Sequence, residues 1–348
     1  MEPLFVLVII AVVMVLVFDF TNGFHDAANI VATVIASRAM TPLQAVAVVG
    51  VFEFLGPLLG GTAVANTIGS FVTISDMAAL PAVAIVLAGL SGAIFWNLIT
   101  WRLGIPSSSS HALVGGMVGA VCVAAGGSHV VWGFRDLVTH GQANGVTKVL
   151  LGLLLSPVAG FCIGFVIHRM MGFLLRTARP SVNRQLKLAQ FVTAAGLAFS
   201  HGANDAQKSM GVLTLVLVLG GFIPHFAVPL WVMIACSVAL TLGILSGGWR
   251  IVRTLGFSIY RLRPLHALDS QLTAAGVILT ASFFGAPVST THVVTASILG
   301  IGASEHPRAV RWQRARAIAT AWLVTIPGAA IMSIVVYSLL HVFLRLNF

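Results

Sequence analysis

Charge is what this sequence has least of. Only 8% of its 348 residues are Asp, Glu, Lys or Arg, where a soluble domain carries about 25%. With 58% hydrophobic residues, no soluble fold of this length has a core large enough to hide its apolar side chains, so the bilayer is the expected solvent. The net charge of +10 would otherwise suggest nucleic acid, but no nucleic-acid partner is expected, because in a membrane chain the placement of Lys and Arg matters more than their sum. Cysteine is scarce too. Cys122, Cys162 and Cys236 are odd in number, far apart and set in apolar runs, which offers neither a disulfide framework nor metal-ligand spacing. A basic n-region and a small-residue cleavage pattern are missing near the start, so the first apolar run is expected to be a retained helix rather than a signal peptide. No His-Glu-x-x-His or nucleophile-elbow pattern occurs, and a lone pair such as His25-Asp26 is poor material for a metal hydrolase. An enzyme is not expected.

What the chain does have is long apolar runs, among them Leu4–Phe18, Ala45–Leu59, Pro81–Ile99, Val149–Val166, Val228–Leu245 and Ile318–Leu340. Several reach the roughly 20 residues a spanning helix needs. The Gly 35 and Pro 13 content is tolerable there, since small residues let membrane helices approach closely and breaks can be satisfied inside a bundle.

Two of the runs are interrupted by polar clusters that read alike. One is Asn22-Gly23-Phe24-His25-Asp26-Ala27-Ala28-Asn29, the other Ser200-His201-Gly202-Ala203-Asn204-Asp205-Ala206-Gln207-Lys208. Each is followed by a second matching element, Pro106-Ser107-Ser108-Ser109-Ser110-His111 and Pro287-Val288-Ser289-Thr290-Thr291-His292. Asp26 and His111 are 85 positions apart, Asp205 and His292 87. Two motifs in the same order at the same separation indicate duplication.

Crossings are assigned at 2–38 (interrupted), 43–64, 81–101, 106–126 and 149–168, then at 188–219 (interrupted), 228–249, 270–286, 288–303 and 317–343. Five per half is odd, which turns the second copy upside down. With the N-terminus outside, the inner loops hold Arg38, Arg102, Arg169, Arg176, Arg179, Arg184, Lys187, Arg250, Arg253, Arg261, Arg263, Arg308, Arg311, Arg314 and Arg316, and the outer side only Arg135, Lys148 and Arg345. That asymmetry sets the orientation, with both termini on the outer side. The expected fold is therefore an all-α polytopic membrane protein of two inverted-topology repeats of about five spans each, 1–175 and 188–348. A short basic cytoplasmic linker, 176–187, joins them, and discontinuous helices meet at a central site. Such broken, inverted pairs recur in secondary transporters.

A carboxylate near the bilayer centre costs at least about 2.5–3.5 kcal/mol, so Asp26, Asp205 and Glu53 stand out. Asp26 and Asp205 fall where a new half-helix is expected to begin, and there they would cap free N–H groups. Pro106 and Pro287 suit a first helical turn, and the hydroxyls that follow would join the positive helix end in binding an oxyanion. One such cluster alone reads best as capping and helix–helix hydrogen bonding; the related pair reads as one anion site. Hydrogen phosphate keeps a proton that it can donate to an ionised Asp, whereas sulfate cannot, so donors and carboxylates together select phosphate. His25, His111 and His292 read as packing or hydrogen-bonding partners rather than proton relays.

These motifs, with Phe52-Glu53-Phe54-Leu55-Gly56, resemble the PiT family of inorganic phosphate transporters over nearly the whole chain. The resemblance implies a plasma-membrane (bacterial inner-membrane) carrier for inorganic phosphate driven by a proton or sodium gradient. It implies a site formed by Asp26, Asn29, Asp205, Ser108, Ser109, Ser110, Ser289, Thr290 and Thr291. The long central loop of many members is here only a short stretch around Arg169–Lys187. Where the first motif has Asn29 the second has Lys208, and several bacterial members that look proton-coupled and low in affinity share the Gln207-Lys208 pair. Lys208 is accordingly expected to replace one sodium ion or to contact phosphate, the alternative being a simple pair with Asp205 or Asp26. Glu53 is expected to be a proton carrier or cation ligand, or else a carboxylate hydrogen-bonded within the bundle. Proton symport with alternating access is the expected mechanism, and a metal–phosphate complex is one form the substrate can take. Sodium symport is the alternative, and an anion channel built from the same dipoles the lesser one. No cofactor is expected beyond the co-transported ion, no metal ligand is assigned, and a homodimer in the bilayer is left open.

Overall fold

The computed structural model describes residues 3–344 apart from 248–250, 253, 255 and 257–258. Arg250, Arg253 and Arg345 lie outside these described residues. Among them there are 12 α-helices and no strands. In chain order these are α1 (Pro3–Ala36), α2 (Pro42–Leu59), α3 (Ala63–Gly69), α4 (Ala79–Leu103), α5 (Ser109–Ala124), α6 (Phe134–His140), α7 (Gly145–Leu174), α8 (Val182–Leu219), α9 (Leu230–Ser246), α10 (Pro264–Phe283), α11 (Thr290–Glu305) and α12 (Trp312–Leu344). Five are long and apolar enough to cross a membrane: α1, α2, α4, α7 and α12.

Helix α1 is one helix of 34 residues and α8 one of 38. Neither is interrupted at its polar cluster, which corrects the sequence expectation, and Asp26 and Asp205 sit in mid-helix rather than at caps. The reason is periodic. Asn22, His25, Asp26 and Asn29 stand at i, i+3, i+4 and i+7, as do His201, Asn204, Asp205 and Lys208, so each set forms one stripe on an unbroken helix. The backbone keeps its internal hydrogen bonds, and the side chains find partners on neighbouring helices.

The breaks fall elsewhere. Helix α2 starts cleanly, with Thr41 and Gln44 forming a capping box around Pro42, but it stops at Gly60, and Gly61 has φ +79°. The chain resumes as α3, so the crossing expected at 43–64 is split. Gln207 of α8 closes the gap: its Nε2 donates to Gly60 O at 3.2 Å, and its Oε1 accepts from Val64 N at 2.8 Å. Helix α9 likewise gives way at Gly247 (φ +108°), with helical backbone again at Ile251.

Helices α4 and α5 form a hairpin, as do α10 and α11. The tips, 104–108 and 284–289, reach the level of the polar stripes, so the four crossings expected at 81–101, 106–126, 270–286 and 288–303 are two hairpins that turn back. Pro106 and Pro287 lie before the N-caps Ser108 and Ser289 rather than in the first helical turn. Arg102 consequently sits at a tip, in the last turn of α4, rather than in a loop at one face.

Two apolar clusters flank the polar layer. One gathers the first half of α1, the second half of α8, and α4 with α5. The other gathers the second half of α1, the first half of α8, and α10 with α11. So α1 and α8 run antiparallel, and the hairpins enter from opposite ends. Helix neighbours correspond in pairs: α1 with α9 and α8 with α2; α1 with α4 and α8 with α10; α5 with α12 and α11 with α7.

Contact between α1 and α9, and between α8 and α2, is at glycine. A Cβ on Gly23 would lie 2.1 Å from Leu240 O, and one on Gly202 would lie 2.4 Å from Glu53 O. We therefore expect Gly23→Ala and Gly202→Ala each to cost at least about 1–3 kcal/mol by overpacking. Gly276→Ala, with nothing within 4 Å, should be neutral. Thermal unfolding of the purified protein in detergent measures the difference.

Candidate functional site

The polar stripes of α1 and α8 face each other, and both hairpin tips press onto them. Asp26, Asn29, Glu53, Ser108, Ser109, Ser110, Asp205, Lys208, Ser289, Thr290 and Thr291 all lie here, none more than 3% exposed. The structure thus brings together every side chain singled out from the sequence.

Their partners differ. Ser108 and Ser289 are the N-caps, accepting the backbone N–H of His111 at 3.2 Å and of His292 at 3.3 Å. Ser109 and Thr290 reach Asp26 Oδ2 from the two tips at 3.5 Å and 3.4 Å. Thr291 donates to Asp26 Oδ1 at 3.0 Å and accepts from Asn29 Nδ2 at 2.8 Å. Asn29 Oδ1 is buried and has no partner. On the α8 side Lys208 Nζ donates to Asp205 Oδ1 at 2.6 Å, Ser110 Oγ at 2.6 Å and Val288 O at 2.9 Å. All three ammonium protons are thereby used.

Several members of the site were not anticipated. His201 lies between the carboxylates: Nδ1 is 2.6 Å from Glu53 Oε1, while Nε2 is 3.5 Å from Asp205 and 3.8 Å from Asp26. The signal was there, since His201 is four residues before Asp205 and so on the same helix face. Asn22 holds the equivalent place before Asp26 and reaches Asp205 Oδ2 at 3.4 Å. Asn204 fixes the second tip, donating to Ala286 O at 3.3 Å and accepting Val288 N–H at 3.2 Å. Asp19, before Asn22 to Asp26 on α1, accepts from Ser209 of α8 at 2.6 Å. His25 does act as a hydrogen-bonding partner, to Asp26 at 3.0 Å and Ser107 at 3.3 Å. His111 and His292 lie ring to ring, 4.6 Å apart. Ligand atoms of Asp26, His201 and Asp205 fall within 4.8 Å of one another, a spacing suited to a cation.

Helices long and apolar enough to cross a bilayer, two hairpins whose tips meet, and a buried layer of carboxylates and hydroxyls define a polytopic membrane carrier. Comparison with known proteins specifies which. The model of the phosphate transporter family matches residues 22–333, and the chain belongs to that family. It is a transporter and not an enzyme. A "probable low-affinity inorganic phosphate transporter" of Bacillus subtilis is 38% identical over 98% of this chain and 99% of its own length. One from Rhizobium meliloti with the same description is 39% identical over 96% of each. A solved structure described as a sodium-dependent phosphate transporter superposes with a TM-score of 0.86 at 25% identity, covering 97% of this chain and 99% of that one.

The buried Lys208–Asp205 pair allows a direct check of how the layer is held. Removing one partner of such a pair leaves an uncompensated charge and costs about 3–5 kcal/mol. Lys208→Met should destabilise by that order, and adding Asp205→Asn should recover more than half of the loss. Unfolding followed by tryptophan fluorescence across the double-mutant cycle measures it.

Proposed function

We propose that this chain imports inorganic phosphate by proton symport, with alternating access between two inverted repeats, 1–175 and 188–348, joined by the basic linker 176–187. The paired helix neighbours and the opposed hairpins support the repeat division. Phosphate binds between the N-termini of α5 and α11, where Ser109, Ser110, Thr290 and Thr291 supply hydroxyls and the helix starts favour an anion. Asp26 accepts the proton that hydrogen phosphate keeps and sulfate lacks. Among the described residues the basic side chains gather where α1 meets α2, α7 meets α8 and α11 meets α12. We place that face in the cytoplasm and both termini outside, in the plasma or inner membrane.

The observation that carries proton coupling is Lys208. Under the repeat relation Lys208, Asp205 and Ser110 correspond to Asn29, Asp26 and Thr291. In the first half a neutral amide stands beside the carboxylate. In the second an ammonium occupies the middle of a carboxylate, a hydroxyl and a backbone carbonyl, the ligand set a sodium ion would take. A fixed cation there removes the need for one transported ion. Charge must still be balanced when an anion enters beside Asp26, Asp205 and Glu53, and the Glu53–His201 pair provides a place to take up a proton next to both aspartates.

A second reading has one specific support. Asn29 Oδ1, unpartnered and next to Asp26 and Thr291, is a carbonyl oxygen suited to sodium, and the structural relative is described as sodium-dependent. Radiolabelled phosphate uptake into proteoliposomes separates the two. We expect accumulation under an inward proton gradient without sodium, resistant to excess sulfate. Accumulation only with sodium would overturn proton coupling. Saturable, concentrative uptake would exclude a channel. Lys208→Asn should make uptake depend on sodium; unchanged ion dependence would remove Lys208 from coupling.

A further inference from the structure

A second group of ligating side chains lies away from the polar layer. His168 is near the end of α7, His266 in the first turn of α10 and Glu305 the last residue of α11. His266 is 18 residues before the α10–α11 tip, about 27 Å along the helix. The group therefore sits at the base of that hairpin and not at the transport site. One ligand atom from each residue lies within 4.8 Å of the other two. His168 and His266 are buried, at 6% and 2% exposure, and their rings meet edge to face at 5.0 Å.

The hydrogen bonds set His168 up as a donor to a metal and hold His266 and Glu305 beside it. His168 Nδ1 lies 2.7 Å from Asp269 Oδ2, a carboxylate 0% exposed. That bond holds the ring and leaves the lone pair on Nε2, the carboxylate–histidine arrangement that supports metal-bound imidazoles. Among the described residues the His168 ring hydrogen-bonds through Nδ1, and Asp269 Oδ1 is buried without a partner. His266 Nδ1 accepts the backbone N–H of Arg263 at 3.1 Å, which puts its proton on Nε2, 2.8 Å from Glu305 Oε2. Glu305 is further held by Tyr260 OH, donating to Oε2 at 2.8 Å, and by Arg263, 3.3 Å from Oε1.

We propose that His168, His266 and Glu305 form a site for a divalent transition metal of the zinc class, with Asp269 positioning His168. Two neutral imidazoles and one carboxylate, with a fourth position for water, match zinc's tetrahedral preference. The charges of Glu305 and Asp269 together balance the ion. On binding, the His266 proton moves from Nε2 to Nδ1, Nε2 takes the metal, and the bond from Arg263 N–H to Nδ1 is given up, so both imidazoles stay neutral. The ion would tie the end of α7 to the base of the α10–α11 hairpin, a cross-link between the two halves of the chain. This inference does not depend on how transport is coupled.

The test uses the full-length protein purified in detergent and stripped with EDTA, titrated with Co2+ as a spectroscopic probe and with Zn2+ in competition. We expect one equivalent of Co2+ with the strong visible bands of a tetrahedral site, displaced by Zn2+, and a melting temperature raised by Zn2+. His168→Ala should abolish the bands, and Asp269→Asn should weaken binding about 10- to 100-fold. Should His168→Ala fail to fold, His168→Cys decides: Co2+ should then give a thiolate charge-transfer band. Absence of that band, absence of saturable Co2+ binding by the unsubstituted chain, or equal affinity in His168→Ala would overturn the proposal. So would binding lost in Asp205→Asn but kept in His168→Ala, which would assign the metal to the polar layer instead. Phosphate uptake in metal-free buffer should be unchanged in His168→Ala, and its loss there would show that His168 serves transport itself rather than a separate metal site.

Discussion

The ammonium of Lys208 holds three oxygens that belong to three different places in the fold: a carboxylate on its own helix, a hydroxyl in the first turn of α5, and the carbonyl of Val288 in the turn before α11. Asp205 and Lys208 are 0% and 1% exposed between two apolar clusters, and a charge buried so deeply needs a partner from the protein. That requirement fixes both hairpin tips at once. Each tip meets the polar stripes with hydroxyls or carbonyls that hydrogen-bond the charges on α1 and α8.

Asp26 is held by a different set, with hydroxyls from both tips and His25 around it and the amide of Asn29 one bond behind Thr291. The two aspartates are thus matched in position but not in partners: a lysine ammonium bonds Asp205, whereas hydroxyls and an imidazole surround Asp26. The imidazole of His201 bridges the difference, since its Nε2 faces both.

Much of this was legible in the sequence. The duplicated motifs named the layer's carboxylates and hydroxyls, Glu53 and Lys208, and the apolar runs named most of the helices. The location of the breaks was not legible, because a polar cluster inside an apolar run looks the same whether it interrupts a helix or forms a stripe along it. The i, i+3, i+4, i+7 spacing of Asn22 to Asn29 and His201 to Lys208 favours the stripe once a partner helix with the same stripe is supplied. What breaks α2 is Gly60-Gly61, and what makes the break tolerable is Gln207, 147 positions away from Gly60. A contact that distant leaves no local trace. The hairpins escaped for a related reason: two apolar segments with a polar turn read as two crossings, and only burial of Ser107–Ser110 against α1 shows that the turn lies inside.

The backbone contacts around the layer are nearly the same on both sides, and this makes the differences informative. Gly202 lies against Glu53 O as Gly23 lies against Leu240 O, so the place that holds Glu53 on α2 holds Leu240 on α9. The Glu53–His201 pair therefore exists once, and so does Lys208. A frame symmetric in packing but not in ionisable groups can present the same anion cradle to either side while keeping its titratable groups at one flank. Under the proposed cycle, the two apolar clusters set how the halves move and the single Glu53–His201–Asp205–Lys208 chain sets what moves with phosphate. In that proposal Lys208 has both parts, tying the two tips and standing in for a transported cation, so its substitution bears on stability and coupling together, whereas an added Cβ at Gly23 or Gly202 disturbs the packing whatever the ion.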